Sequence, residues 1–129
     1  MLLFPNNLIA EDTIPKELIK KEYTKQELIN KVYQYSEIHN QDPIKVKRTI
    51  DCENRDWDID LQSLLTYKAG NRWGFAEGTY EKSYGLAQIH LPDHPDITYE
   101  QATDPDFAIN YMAEHLGRDV TWSCYKKPY

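Results

Sequence analysis

Nothing in this chain stays apolar long enough to cross a bilayer, which takes about 20 consecutive apolar residues, so no membrane span is expected. The opening stretch from Met1 to Ala10 has no positively charged start, and Pro5-Asn6-Asn7 interrupts its apolar residues, so no secretory signal is read there. Cations are also scarce: 15 Lys and Arg stand against 21 Asp and Glu, for a net charge of −6. Neutralising phosphates takes clustered Lys and Arg, so no nucleic-acid partner is expected. The one lysine-rich stretch, Lys16 to Lys25, is interleaved with Glu17, Glu22 and, just beyond, Glu27, and reads as a solvated helix face. The four histidines form no constellation. His90 and His94 flank Leu91-Pro92, and no acidic partner at metal spacing is compelling, so no metal or other cofactor is expected. No serine sits in a nucleophile elbow, and Cys52 has no assignable histidine to activate it. The two cysteines, Cys52 and Cys124, admit free thiols, a metal pair or one disulfide, and no zinc-type Cys/His cluster surrounds them. A disulfide is the form expected. It would close a loop of about 70 residues, worth about 4 kcal/mol in the chain-entropy treatment, and would imply an oxidising compartment.

What remains is a chain of 129 residues, enough for one domain and one core, and a monomer is expected. Residues 1–15 read as a polar N-terminal arm, and 16–129 as the domain. Ten of the residues are tyrosines. Their rings suit sugar faces, but most are expected in ordinary core and surface packing. Thr24-Lys25-Gln26-Glu27 matches a capping box, and Leu28, Ile29, Val32, Tyr33 and Tyr35 follow at helical spacing. A helix over 25–39 is predicted, with a backward extension to Lys16 open. Asp42-Pro43 and Asp104-Pro105 are two further helix starts, Asp as cap and Pro in the first turn, predicting helices over 43–54 and 105–116. Gly117 is the expected stop of the latter. From Asp56 to Tyr80 helical periodicity fails, and Gly70-Asn71, Gly74 and Glu77-Gly78 signal turns. A long loop is predicted there, with at most a small hairpin pairing 62–67 with 79–83. A turn over 83–89 is expected to feed a short helix, 92–95 a loop, and 99–102 one helical turn. A short element over 122–125 would bring Cys124 back to the core.

Glu53 ends the helix that starts at Asp42-Pro43. A carboxylate there faces the negative end of the helix dipole, and apolar neighbours would add to the effect, so its pKa is expected to be raised. That is the direction a general acid needs. Glu53 also follows Cys52, a residue type usually buried.

Glu53-Asn54 followed by Ser83-Tyr84-Gly85-Leu86-Ala87-Gln88-Ile89 resembles the lysozyme-like lytic transglycosylases (the SLT superfamily). The family's first motif is a Glu-Ser pair ending a helix, and here Asn54 replaces the serine. Its second, small-x-Gly-Leu-Met-Gln-Ile, is met with Ala87 in the methionine place. Ser63 matches a downstream loop serine, and Asp104-Pro105-Asp106-Phe107-Ala108 matches the Asp-Pro helix. The last motif, Ala-Tyr-Asn-x-Gly, is absent, and Tyr125 stands as a substitute for its tyrosine. The likeness covers residues 42–125.

The resemblance implies a mainly α, α+β lysozyme-like fold, a helical core with a long loop or small β-hairpin flanking an active-site cleft. It implies cleavage of the β-1,4 bond between N-acetylmuramic acid and N-acetylglucosamine of peptidoglycan glycan strands, with Glu53 as general acid/base. Ser63, Ser83, Tyr84, Gln88 and Tyr125 would bind substrate. A hydrolase would add a second carboxylate, for which Asp56, Asp58, Asp60, Glu77 and Glu81 are the candidates. Such an enzyme works outside the cytoplasm (periplasm, envelope or secreted) or with a phage. The loss of the serine and of the last motif leaves a rival within the same fold, a non-catalytic glycan-binding or virion structural domain. A small helical interaction module, with Glu53 only a surface charge, is a third reading.

Overall fold

The computed structural model describes residues 22–126. The arm and the extension of the first helix back to Lys16 lie outside the described residues, and Glu22 to Thr24 precede the helix without joining it. Helix α1, Lys25–Ile38, starts on the expected capping box. The Glu27 amide donates to Thr24 Oγ1 (3.1 Å), and the Thr24 amide to Glu27 Oε1 (2.8 Å). Two orphan donors of the first turn are thereby satisfied. Helix α2, Pro43–Glu53, is capped by Asp42, whose Oδ1 accepts from the Ile44 amide (2.9 Å), and it buries Val46, Thr49 and Ile50 on one stripe. Helix α3, Tyr99–Ala102, is a single turn with its own capping box from Thr98 and Gln101. Helix α4, Pro105–His115, is capped by Asp104 and buries Ala108, Ile109, Met112 and Ala113. Gly117, at φ +73°, breaks the chain away in the left-handed region as expected.

Helices α1 and α4 pack side by side. Asp106, in the first turn of α4, accepts from Lys31 Nζ and Tyr35 Oη at 2.8 Å each. The first turn of a helix is where a carboxylate is favoured, so the pair is tied at a site the helix dipole supports. Leu28, Val32, Val46, Ile50, Ile109, Met112 and Leu116 make the core, closed by Trp57 and Trp122.

The long segment between α2 and the sheet pairs as predicted. Gln62 bridges Tyr84 and Thr66 bridges Tyr80, both antiparallel. The Ser63 amide donates to the Ser83 carbonyl (2.9 Å), and that of Tyr67 to Thr79 (2.8 Å), in the same register. Strands β1, Ser83–Tyr84, and β2, Ile89–His90, form a two-stranded antiparallel sheet with Ser83 opposite His90. The turn of residues 85–88 therefore feeds a strand, where a short helix was expected. Ile89 is β-branched, buried and paired with Tyr84, and the Leu91 amide continues the ladder to the Lys82 carbonyl (2.9 Å). Helical geometry waits until a 3-10 turn at Leu91–Asp93, where Pro92 fits the first turn and where a loop was expected. A final 3-10 turn, Ser123–Lys126, closes the described chain. The architecture is mainly helical with a small antiparallel sheet, the α+β class the sequence implied. No helix among the described residues is long and apolar enough to cross a membrane.

Candidate active site

The last turn of α2 and the final 3-10 turn are joined by a disulfide, Cys52–Cys124, with Cα atoms 5.9 Å apart. The bond settles the alternatives left by the sequence and places two donors at Glu53. The Cys124 amide lies 3.3 Å from Glu53 Oε2, and Ser123 Oγ donates to the same oxygen at 3.5 Å. Cys52 is exposed where burial was expected of its residue type, and the buried partner is Cys124. A sulfur at the last turn of a surface helix can reach a partner strapped over it without entering the core.

Glu53 is half-buried and lines two adjoining compartments of one groove. The larger, of about 560 Å³, is also bounded by Asp58, Leu61, Ser63, Gln88 and Ser123. The smaller, of about 180 Å³, adds Glu81, Ser83 and Trp122. Gln88 borders both, together with a further hollow of about 90 Å³ reaching His90, Asp93 and Tyr111. The groove thus runs from the end of α2, past the turn of residues 85–88, to the 3-10 turn at Leu91–Asp93.

The turn is held from three sides. Gly85 sits at φ +79°, and Gln88 at φ +46° is a non-glycine residue in the left-handed region. Gln88 Nε2 donates to the carbonyls of Leu61 (3.0 Å) and Gly85 (2.9 Å), fixing its side chain across the groove floor. Asn54 Nδ2 donates to the same Gly85 carbonyl (3.0 Å) and to that of Asp58 (2.7 Å), while Asn54 Oδ1 accepts from the Asp58 amide (3.1 Å). Asn54 is only 1 % exposed, so each of these bonds satisfies a buried group that would otherwise cost about 1–3 kcal/mol. Its amide is directed to the loop and the glycine turn rather than to Glu53. Sequence reasoning treated Asn54 only as a replaced serine. The available signal was that a buried Asn must find several partners.

The structure brings Glu53, Ser63, Ser83 and Gln88 together on this groove. It does not bring Tyr84 or Tyr125 there. Side chains alternate along a strand, so with Ser83 facing the groove Tyr84 faces away, its ring edge-on to Tyr99 with centroids 5.1 Å apart. Burial raises the Tyr84 hydroxyl above the ordinary tyrosine value. The hydroxyl of Tyr125 lies 2.6 Å from where a Cβ on Gly117 would stand, so its ring packs over that helix stop instead of lining the groove. Among the carboxylate candidates, Asp56 and Asp58 border the larger compartment and Glu81 the smaller. Asp60 belongs to a separate hollow of about 440 Å³ with Tyr23 and Trp57, and Glu77 is exposed on the long loop.

At the far end the loop folds back onto Asp93. Its carboxylate accepts from Trp73 Nε1 (2.8 Å), Arg72 Nη2 (3.0 Å) and His90 Nδ1 (3.0 Å), while His90 Nε2 meets Tyr67 Oη (2.8 Å). Burial alone would raise the Asp93 carboxyl. The bonds from Trp73 and His90 and the Arg72 charge outweigh it and hold the group below the usual carboxylate range. Tyr67 Oη accepts from the Lys82 amide (3.0 Å), so its own proton is available for His90 Nε2, which leaves Nδ1–H for Asp93. His90 is thus committed to an internal network. No group of three or more His, Cys, Asp or Glu among the described residues is placed to hold a metal ion.

Reduction of Cys52–Cys124 releases the strap that carries both donors to Glu53. By the loop-closure estimate it removes about 4 kcal/mol. Thermal melts with and without reductant are expected to differ by on the order of 10 °C, and coincident melts would show that the bond constrains little.

No protein-family model, curated protein or solved structure matches this chain.

Proposed function

We propose that the chain cleaves the β-1,4 glycosidic bond between N-acetylmuramic acid and N-acetylglucosamine in peptidoglycan, as a lytic transglycosylase or muramidase with Glu53 as its general acid/base. The observation that carries the reading is the convergence on one groove of Glu53, from the end of α2, and Gln88, from the Gly-Leu-Ala-Gln-Ile turn. Ser63 and Ser83 line the same groove from the paired segments.

The chemistry needs one transferable proton. Protonated Glu53 donates it to the bridging oxygen as the bond to the anomeric carbon breaks. The acetamido oxygen of the substrate can stabilise the developing cation from the opposite face. Ionised Glu53 then removes the proton of the 6-hydroxyl, which closes a 1,6-anhydro ring, or the proton of an attacking water. A direct inverting hydrolysis instead needs a second carboxylate about 6.5–9.5 Å away. Glu81, Asp56 and Asp58 are the candidates bordering the groove. No cofactor enters any step. The disulfide agrees with work in an oxidising place, outside the cytoplasm or on a phage particle.

A second reading, a non-catalytic glycan-binding or virion structural domain, is favoured by Asn54. It stands where the resemblance calls for serine, and its side chain bonds to Asp58 and Gly85. Incubation with purified peptidoglycan and mass spectrometry of the soluble fraction separates the two. Muropeptides lighter by one water mark the transglycosylase, and reducing ends mark the muramidase. Binding to the wall without any soluble product would overturn the catalytic reading.

A further inference from the structure

The segment paired beside β1 along the groove exposes two consecutive leucines. Leu64 is 78 % exposed and Leu65 67 %, and both line the same compartment as Glu53. In a regular strand neighbouring side chains point to opposite faces, so consecutive residues do not share a cleft. The departure has a local cause. The Leu65 amide donates to Ser63 Oγ (3.1 Å), and the facing Glu81 carbonyl accepts from Gln62 Nε2 (3.2 Å). A side-chain hydroxyl has displaced one rung of the ladder. The pairing recovers at once, with the Glu81 amide on the Leu65 carbonyl and that of Tyr67 on Thr79, both at 2.8 Å. The bend is confined to Ser63-Leu64-Leu65.

With Leu61, these leucines make the apolar wall of the compartment, while Glu53, Gln88 and Ser123 supply polar groups from other elements. Single exposed leucines are ordinary. Two adjacent ones, turned by a hydroxyl–amide bond into a cleft that also holds a half-buried carboxylate, fit a ligand with an apolar edge next to its polar rings. A sugar ring offers a C–H face that suits a flat aromatic ring better than a branched leucine, and hydroxyls around its rim, for which leucine has no partner. An acetamido group offers one methyl, too little to cover both side chains. The lactyl ether of muramic acid and the peptide it carries offer a longer run of methyl-bearing carbon.

We infer that Leu64 and Leu65 bind the lactyl–peptide substituent of muramic acid and make the groove selective for stem-bearing strands. The inference rests on the peptidoglycan reading above. A Leu64→Ser/Leu65→Ser variant tests it, since both side chains are exposed and surface changes of this kind shift stability little. The substrates are intact peptidoglycan, the same material stripped of stems by an amidase, and chitin oligosaccharides. Wild type is expected to prefer intact strands, and the variant to lose about 10–200-fold in kcat/KM on these, with chitin oligosaccharides unchanged. An equal loss on all three substrates, or no loss on intact strands, would overturn the inference. Absence of turnover on every substrate defeats the cleavage reading instead. Co-sedimentation with intact and stripped wall then decides the inference: wild type should favour intact wall and the variant should not, and equal partition of the wild type would sink it.

Discussion

Glu53→Gln is expected to fold like the parent and to release muropeptides at least about 10²–10⁴-fold more slowly, the usual contribution of a general acid. The substitution is close to isosteric. Two bonds are donated to Glu53 Oε2, from Ser123 Oγ and the Cys124 amide. An amide oxygen can accept both. What glutamine lacks is a proton it can give up at neutral pH, so the loss should fall on kcat while binding to the wall persists. Glu53→Ala would be a poorer test, because it would also strip the partner from the Cys124 amide beside the disulfide. Single-turnover release from purified wall, with melts of both proteins, checks the expectation. Full wall-lytic activity in the glutamine variant would remove Glu53 from the reaction. An ordinary Glu53 pKa near 4.3, measured by NMR, would favour the reading in which this carboxylate is only a surface charge.

The parts of the molecule that were legible in the sequence are those written in neighbouring residues. Thr24 with Glu27, Asp42-Pro43 and Asp104-Pro105 each satisfy orphan amides within their own first turn, so the three longer helices begin where those residues stand. The pairing of residues 62–67 with 79–83 was legible for a similar reason, because turn residues between two short segments leave one compact way to close them. Direction was harder. Whether Tyr84 or Ser83 faces the groove depends on a register set by partners on both edges of β1, Gln62 on one side and Ile89 on the other. A slip of one residue reverses the choice. Trp57 illustrates the same limit. It sits at φ +55°, a conformation costly for a bulky residue, and is held there by Nε1 donating to Asp51 Oδ1 (2.6 Å) and by burial in the core. Nothing adjacent in sequence announces that arrangement. The candidate site divides along the same line. Glu53 could be named from its place at a helix end and Gln88 from the motif that carries the resemblance, whereas Asn54, Ser123 and the Cys124 amide act through contacts with distant segments.

Gly85→Ala is expected to be among the most damaging single methyl additions to this domain, at about 2–5 kcal/mol. Two costs combine. The backbone at φ +79° lies where an L side chain is strained, worth about 1–2 kcal/mol. A Cβ there would also overlap the carbonyl oxygen of Ala102 and crowd its carbon, at 3.0 Å. Ala102 is fully buried at the end of α3, so the obstruction is backbone, not a side chain that can swing away. Overpacking of this kind costs a further 1–3 kcal/mol, roughly. The damage should reach the groove, because the Gly85 carbonyl accepts from Asn54 Nδ2 and Gln88 Nε2 at 3.0 and 2.9 Å, and its amide donates to Leu61 at 2.9 Å. Moving the turn away from α3 shifts the end of α2, the floor glutamine and the loop together. Gly74→Ala separates the two costs. Gly74 has nearly the same φ, +80°, with nothing within 4 Å of its would-be Cβ, so it should show only the backbone part. Urea melts of the two variants are expected to differ by about 1–3 kcal/mol, with Gly85→Ala the weaker protein. Equal stabilities would mean that α3 yields freely, and the close approach of the glycine turn to Ala102 would then not be what holds Gln88 in the groove beside Glu53.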